Sequence, residues 1–487
     1  MRDPWRVLQI GCGPGGVSVL RQLLPRLAQT GVEVRLEVCD PAEMGPGLAF
    51  STPYDLHLLN IRADLMSLSP DDKGEFARWR ARHAGPSTAG GTDDYPPRRV
   101  FGNYARTVLA ETLRTARGAG QRVEQSAERA VALWRAGDGG WCCRFSSGRS
   151  AIYRTVILAL GHLPSRRYSP ADGGPSFLPS PWSDLVLPVD HTVGIIGTRL
   201  TGIDAALALR ERGHAGPIVM ASRSGRLPSV KGRHAVPAEL RLLPSFVRGH
   251  RAGTATLRQV AEVIGREIES AVERPIDWTA ALHPPPTTPA ELRRDLESTT
   301  LAWQPVLAAI VPWVPDLWRI LDAPGRDLFM CSYLPLWAGR IASFPAITAR
   351  RLLEMMDSGQ LTVRGGLATI ESAGARHRMR FDDGRWLDAG VIINATGPGY
   401  GPDSLAANPL TAQLLRGGLA VPHRHGGIAV DLRTLQVTNS RGLPEKGLHV
   451  IGDLTRGEFL ATNAIENTVR QSVQLAEIVA DRRTETR

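Results

Sequence analysis

The chain has 487 residues, of which 43% are hydrophobic and 22% charged, so it can bury a large core and wholesale disorder is excluded. Its net charge is +10, but three of the 58 basic residues are lysine and the arginines are scattered, which argues against nucleic-acid binding and favours an anionic small molecule or nucleotide. Because no run of 18 apolar residues occurs, we expect no membrane partner and a cytoplasmic location.

The first 40 residues predict a strand, a glycine-rich turn, a helix and a second strand. In chain order these are residues 6–10, 11–16, 17–29 and 33–39. Gly11 permits the tight turn, Gly13 lets the backbone approach a pyrophosphate, and Gly16 lets the helix pack closely on the strand. Asp40 follows the second strand and can accept a hydrogen bond from a ribose hydroxyl. This segment predicts dinucleotide binding.

A second unit of the same kind is predicted about 180 residues later. Its strand, turn, helix and strand are residues 193–196, 197–202, 203–212 and 218–221. Gly197 and Gly202 are the predicted cofactor-binding glycines, but Arg199 replaces the middle glycine. That arginine either pairs with a pyrophosphate or blocks its approach, and the unit could also have kept its fold and lost its cofactor. Arg223, after the last strand, favours the 2′-phosphate of NADPH.

Residues 236–350 are predicted to be helical and rich in proline and tryptophan, and short strands return after residue 361. Near the C-terminus, Gly452 and Asp453 follow a strand, and Asn463 and Ala464 open a final helix. A carboxylate after a strand can bind a ribityl hydroxyl of FAD, and the helix N-terminus can face the flavin ring. An ordinary turn would also explain Gly452 and Asp453.

These features predict an α/β fold with two dinucleotide-binding, Rossmann-like domains and a mainly helical insertion. The strands at 156–161 and 391–397 are expected to mark the crossings between the two domains. The division that follows is an FAD-binding domain at 1–185 and 391–487, an NAD(P)-binding domain at 186–235 and 351–390, and the helical insertion at 236–350.

Several further segments resemble the bacterial FAD-NAD(P)-binding proteins, which are related to the flavin-dependent N-hydroxylating monooxygenases and include aspartate N-monooxygenases that form nitrosuccinate. The segments that carry the resemblance are residues 45–51, 57–60, 66–67, 76–79, 98–104, 337–352, 408–410 and 452–466. The resemblance covers most of the chain. It implies an enzyme with FAD and NADPH as cofactors that oxygenates the nitrogen of a small amine or amino acid, with O₂ as co-substrate, in specialised metabolism.

Four residues near the predicted flavin face are candidates for the chemistry. Asn60 can hydrogen-bond the flavin or a reacting group, and His57 can accept a proton from an ammonium substrate. Arg62 and Arg99 can bind a substrate carboxylate. Each also has a simpler interpretation: a turn residue for Asn60, a structural histidine for His57, and surface arginines for the other two.

Two other functions remain open from the sequence. One is a flavin oxidase or dehydrogenase that uses no NADPH, and the other is a non-redox cyclase or scaffold that holds FAD. A disulfide reductase is disfavoured because the five cysteines form no C-x-x-C pair, and they show no spacing for a metal site. Homo-oligomerisation is left open.

Overall fold

The computed structural model of the chain describes residues 4–83, 95–137, 139–169, 176–181, 187–232, 237–272, 276–298, 302–373 and 376–481. Its strands are β1 (Trp5–Ile10), β2 (Val34–Cys39), β3 (Arg122–Ser126), β4 (Ala130–Arg135), β5 (Trp141–Phe145), β6 (Ser150–Tyr153), β7 (Thr155–Leu158), β8 (Phe177–Leu178), β9 (Val193–Ile196), β10 (Ile218–Ala221), β11 (Leu361–Arg364), β12 (Leu367–Ala373), β13 (Arg376–Phe381), β14 (Trp386–Ala389), β15 (Val391–Asn394), β16 (Gln436–Thr438) and β17 (Pro444–Val450). Its α-helices are α1 (Pro14–Gln29), α2 (Gly47–Phe50), α3 (Glu75–His83), α4 (Arg98–Gly118), α5 (Leu200–Glu211), α6 (Leu243–Gly249), α7 (Leu257–Val272), α8 (Trp278–Leu282), α9 (Pro289–Glu297), α10 (Trp303–Ile310), α11 (Val314–Ile320), α12 (Ala323–Leu328), α13 (Leu334–Ile341), α14 (Ala346–Asp357), α15 (Pro402–Ala407), α16 (Pro409–Arg416), α17 (Arg456–Phe459) and α18 (Ile465–Ala480).

The first sheet has the strand order β16-β17-β7-β1-β2-β3 and is parallel except for β16. Strands β1, β7 and β17 lie side by side, so their carboxyl ends meet at one edge of the sheet. The glycine turn after β1 and the Gly452-Asp453 pair after β17 therefore share that edge, where ligands of open α/β sheets bind.

The second sheet has the order β11-β10-β9-β15-β8 and is parallel throughout. This confirms the predicted fold class, an α/β protein with two Rossmann-like sheets. Every residue of β9, β10 and β15 is buried, as expected for parallel strands that are covered on both faces.

The predicted domain limits need two corrections. Strand β8 (177–178) lies in the second sheet although it precedes residue 186, and β15 (391–394) also lies there although it follows residue 390. The crossing back to the first sheet therefore comes after β15. The predicted limits at 185/186 and 235/236 lie outside the described residues, so the rest of that division stays a prediction.

Two small antiparallel sheets, β4-β5-β6 and β12-β13-β14, were not predicted. The first includes Cys142 and Cys143 on opposite faces of β5, with Cys143 fully buried. Each small sheet directly precedes the strand that leads into a crossing, β7 or β15.

The helices α6–α13 form the predicted helical region, and all of them except α9, which packs on α14, surround a separate apolar core. They enclose a cavity of about 1090 Å³ whose lining includes Trp278, Trp303, Trp337 and Leu460. The indole Nε1 of Trp318 donates to the carbonyl oxygen of Gly457 at 2.8 Å, so this region packs on the segment after Asp453. Among the described helices, none is both long and apolar enough to span a bilayer.

Candidate functional site

The first glycine turn has no room for side chains at two of its three predicted glycines. Gly11 has φ +96°, and a Cβ there would lie 2.2 Å from the carbonyl oxygen of Ala159. A Cβ on Gly16 would lie 2.5 Å from the carbonyl oxygen of Gly11. At Gly13 a Cβ would lie 3.3 Å from the Cα of Gly47, which is close but not a clash. Gly11 and Gly16 are therefore required by the turn itself, whereas a Cβ at Gly13 would fit only if Gly47 moved by a few tenths of an ångström.

Asp40 lies at the predicted place, at the carboxyl end of β2. Its Oδ2 accepts from the backbone amide of Cys12 at 2.8 Å, and its Oδ1 accepts from the amide of Ala42 at 2.9 Å. The side chain is half-buried, so it ties the glycine turn to β2 while one edge stays accessible. The role of Asp40 toward a ribose stays a prediction.

Asp453 is almost fully buried beside the glycine turn, with an exposed fraction of 5%. Its Oδ1 accepts from the hydroxyl of Thr462 at 2.8 Å. Its Oδ2 forms an ion pair with His162, with 2.8 Å between Oδ2 and Nε2. Oδ2 is thus a buried acceptor that is held by a charge partner beside the first sheet.

The two partners of this ion pair shift each other's ionisation. Burial alone would raise the pKa of Asp453, but the charge of His162 lowers it below its ordinary value. Burial alone would lower the pKa of His162, but Asp453 raises it above its ordinary value. The charged pair therefore persists from below the ordinary carboxyl pKa to above the ordinary histidine pKa.

A pH profile of stability tests this pair. We expect the melting-temperature difference between the native chain and His162→Gln to be fully present at mildly acidic pH. It should shrink as pH rises through the raised pKa of His162 and as pH falls through the lowered pKa of Asp453. Thr462→Val removes a neutral hydrogen bond to the same carboxylate and should show no loss on the alkaline side. A His162→Gln difference that is constant from pH 5 to pH 9 would contradict the assignment.

The final helix α18 begins where the sequence predicted, with Ala464 at its N-cap and the exposed Asn463 just before it. No side chain caps the first turn. The backbone amides there can therefore face an electronegative ring edge or an anion, and the roles of Asn463 and Ala464 stay predictions.

The second glycine turn repeats the backbone of the first. Gly197 has φ +112°, and a Cβ there would lie 2.4 Å from the carbonyl oxygen of Ala395. A Cβ on Gly202 would lie 2.2 Å from the carbonyl oxygen of Gly197. Arg199 has the extended backbone that Gly13 has in the first turn, so its side chain does not prevent the turn from forming.

The guanidinium of Arg199 points toward the helical region and donates through Nη2 to the carbonyl oxygen of Pro335 at 2.7 Å. Burial, together with the charges of Arg223 and Arg456, lowers its pKa. Arg223 itself is exposed after β10 and has no ion pair among the described residues. Three guanidinium groups with few acidic partners make this end of the second sheet favourable for an anion.

His57 is not a proton acceptor for a substrate, contrary to the sequence-based expectation. It is buried, with Nδ1 2.7 Å from the hydroxyl of Thr52 and Nε2 2.9 Å from the carbonyl oxygen of Asp204 in α5. Burial lowers the pKa of His57 below its ordinary value. With both ring nitrogens engaged, His57 is a structural residue that joins the loop before Asn60 to α5.

The carboxylate-binding roles expected for Arg62 and Arg99 are also corrected. Arg62 donates through Nε and Nη2 to the carboxylate of Asp64, at 3.0 Å in both contacts. Arg99 pairs in the same bidentate way with Asp55, with Nη2 at 2.9 Å from Oδ2. Both guanidinium groups already bind a carboxylate of this chain, so neither is a preformed site for a second one.

Asn60 is half-buried, and its side chain makes no hydrogen bond within the described chain. The loop that carries it is fixed, because the amide of Leu59 donates to the carbonyl oxygen of Pro96 at 3.0 Å. An amide on a fixed loop without an internal partner suits an external one, and its role stays a prediction.

A buried ion pair between the two units was missed by sequence reasoning. Arg98 Nη1 lies 2.6 Å from Asp204 Oδ2, and Arg98 Nε donates to the carbonyl oxygen of Leu58 at 3.1 Å. Both side chains are largely buried. No spacing rule pairs residues this far apart, and the adjacent Arg99, chosen from the sequence, points to Asp55 instead.

Thiol chemistry has no support at this site. All five cysteines are free, and Cys12, which lies in the first glycine turn, is buried. Burial, reinforced by Asp40, raises the pKa of the Cys12 thiol to about 12, so it holds its proton at physiological pH.

Comparison with known proteins gives the site a context. Residues 9–163 match the FAD-NAD(P)-binding family. Over 168 residues the chain is 32% identical to the nitrosuccinic acid synthase npaA of Aspergillus oryzae, a match that covers 32% of this chain and 26% of that relative. The chain thus spans about a quarter of the length of that relative.

Solved structures resemble the whole chain. The ornithine N-hydroxylase KtzI of Kutzneria sp. 744 has a TM-score of 0.52 at 14% identity, covering 99% of this chain and 100% of that one. The reduced ornithine hydroxylase PvdA of Pseudomonas aeruginosa has a TM-score of 0.54 at 12% identity, covering 98% and 99%. Residues 9–163 are therefore similar to the FAD-NAD(P)-binding family, and the whole chain has the overall fold of the ornithine hydroxylases.

Proposed function

We propose that this chain is an FAD-dependent, NADPH-using monooxygenase that oxygenates the nitrogen of a small amine or amino acid, with a role in specialised metabolism. The observation that carries the proposal is the pair of glycine turns with the same backbone geometry, one on each parallel sheet, in a chain with the ornithine hydroxylase fold. The local similarity to a nitrosuccinic acid synthase supports a nitrogen atom as the target.

The residues of the first unit fit FAD. Without a side chain at Gly13, the backbone at the N-terminus of α1 can approach a pyrophosphate, and Asp40 lies beside the turn. Asp453, a buried carboxylate whose Oδ2 pairs with His162, is suited to accept from a ribityl hydroxyl as well. When bound, FAD supplies the electron transfer from nicotinamide and the activation of O₂.

The second unit fits NADPH through Gly197, Gly202 and the exposed Arg223. We expect Arg223→Ala to lower the ratio of NADPH to NADH rates by roughly tenfold or more, because a hydrogen bond to a charged group contributes about 1.5–3 kcal/mol. Anaerobic flavin reduction by each cofactor measures the ratio. Arg223→Lys keeps the charge and should keep much of the preference, and equal rates with both cofactors in the native chain would contradict the role of Arg223.

Residues outside the two glycine turns position the two units and cover the site. Arg98 and His57 fix α5 against the loop of Asn60, so the two units keep a defined spacing. The helical region covers the segment after Asp453 through Trp318 and limits water entry. Asn60 can hydrogen-bond the substrate nitrogen, which must be neutral for its lone pair to react.

One observation favours a second function, a flavin oxidase or dehydrogenase that uses no NADPH. Arg199 replaces the middle glycine of the second turn, and an enzyme reduced directly by its substrate has no need of a nicotinamide site. Under this alternative, substrate alone bleaches the flavin without oxygen, and NADPH does not.

Three readouts taken together test the proposal. The purified chain with FAD and NADPH is supplied with a panel of amino acids and diamines that includes aspartate, and oxygen uptake, hydrogen peroxide and product mass are followed. We expect one substrate to accelerate NADPH oxidation and to gain one oxygen atom. If NADPH bleaches the flavin but no panel member gains oxygen, the substrate class is wrong, and if NADPH never bleaches it, the monooxygenase proposal is wrong.

A cytoplasmic location is part of the same proposal. NADPH is supplied to enzymes within the cell, and five cysteines without a disulfide are compatible with a reducing compartment.

A further inference from the structure

The backbone around Lys231, in the segment that follows β10, is held in place by hydrogen bonds. Its backbone amide donates to the carbonyl oxygen of Phe344 at 2.9 Å. On either side, Gln304 accepts from the amide of Gly232 at 2.9 Å and donates to the carbonyl oxygen of Val230 at 2.7 Å. The direction in which the lysine side chain leaves the backbone is therefore fixed by three hydrogen bonds.

The ammonium group of Lys231 lacks an acidic partner in the described part of the chain. Nζ lies 5.8 Å from the centre of the Tyr95 ring, within range of a cation–π contact. The carboxylate of Asp295 interacts with the charge of Arg340. Burial lowers the pKa of Lys231 to about 8. An ammonium in this state is stabilised by any anion that reaches it.

Lys231 lies at the boundary between the two units, where its ammonium group approaches Tyr95. Tyr95 is followed by Pro96, whose carbonyl oxygen accepts from the amide of Leu59, the residue before Asn60. Lys231 comes from the second unit and Tyr95 from the first. Its charge thus lies close to the loop that carries the unpartnered Asn60 amide.

Lys231 also differs from the other two lysines of the chain. Lys73 is exposed and pairs with Glu466 at 3.3 Å, and Lys446 is exposed on β17. Nearly all basic residues of the chain are arginine, yet the half-buried position 231 carries a lysine. An ammonium is a compact point charge with three donors and does not need the bidentate geometry of a guanidinium.

We propose that Lys231 binds the carboxylate of the substrate and so selects amines that carry an acidic group. This inference rests on the proposed function and names the substrate class for it. Arg62 and Arg99, the sequence-based candidates, already bind Asp64 and Asp55. A phosphate of the nicotinamide cofactor has similar chemistry, and the experiment separates the two sources.

The test uses the small number of lysines. Reductive methylation of the FAD-loaded chain with ¹³C-formaldehyde keeps each lysine charged and gives three dimethyl-lysine signals by NMR. Lys231→Arg removes one signal and so assigns it. On addition of succinate, we expect the Lys231 signal to move and its titration midpoint to rise by about one pH unit or more, the effect of one nearby opposite charge. The Lys73 and Lys446 signals should stay in place.

Matched variants and a second ligand make the outcome decisive. Arg62→Ala and Arg99→Ala should keep the succinate response, because those arginines serve internal carboxylates. A response to NADP⁺ with none to succinate would overturn the proposal in favour of the cofactor phosphate, and no response to either would overturn it outright.

If succinate shifts the signal of Lys231 but no amine is oxygenated, the anion site stands and the proposed reaction fails. Where an amine is oxygenated, Lys231→Met should raise KM far more than it lowers kcat, and an unchanged KM would contradict carboxylate binding by Lys231.

Discussion

Gly13→Val is expected to lower the FAD content of the purified chain from about one per chain to less than a tenth of that, since the middle glycine is where the backbone approaches the pyrophosphate. Gly13 has an extended backbone with negative φ that valine can adopt, and a Cβ there would lie 3.3 Å from Gly47 Cα without a severe clash. The chain should therefore fold and lose its cofactor. Flavin absorbance per chain, with circular dichroism as the folding check, measures this.

Gly118→Val is the matched control for this substitution. Gly118 ends α4, and a Cβ there would meet no atom within 4 Å. We expect that variant to retain its flavin and its melting temperature. A yellow Gly13→Val protein would show that FAD does not lie on the first glycine turn.

The second large effect is on stability. Arg98→Met should lower the free energy of unfolding by roughly 3–5 kcal/mol, because it leaves the buried carboxylate of Asp204 without a counter-charge. The loss should appear in urea denaturation followed by tryptophan fluorescence. The double variant Arg98→Met/Asp204→Leu removes both charges and should regain most of the stability.

An exposed pair provides the comparison for Arg98. Arg258 pairs with Glu262 on the surface of α7, with 88% and 49% of the side chains exposed. Arg258→Met should cost less than about 1 kcal/mol, as exposed ion pairs do. If Arg98→Met costs no more than Arg258→Met, the Arg98–Asp204 contact does not hold the two units together.

Local backbone rules made the glycine turns predictable. Gly11, Gly16, Gly197 and Gly202 each lie where a Cβ would strike a carbonyl oxygen a few residues or one strand away, and a strand-turn-helix pattern contains that information. The apolar runs of β9, β10 and β15 likewise indicated buried parallel strands.

Side-chain partners were not predictable in the same way. His57, Arg62 and Arg99 are chemically suited to substrate binding, yet each is engaged by a neighbour that no spacing rule identifies. Lys231 escaped notice because its significance depends on burial and on Tyr95, which come from the tertiary fold. The sheet to which β15 belongs is also a tertiary property, since its apolar sequence fits either sheet.

The order of the first sheet has a consequence for synthesis on the ribosome. Strand β17 covers the edge of β7, yet it begins at residue 444, after the whole second sheet and the helical region have been made. Until then the buried β7 presents an open edge that can pair with another chain. A nascent chain that stops before residue 444 lacks both this protective strand and Asp453, so aggregation and an incomplete flavin pocket should arise from the same truncation.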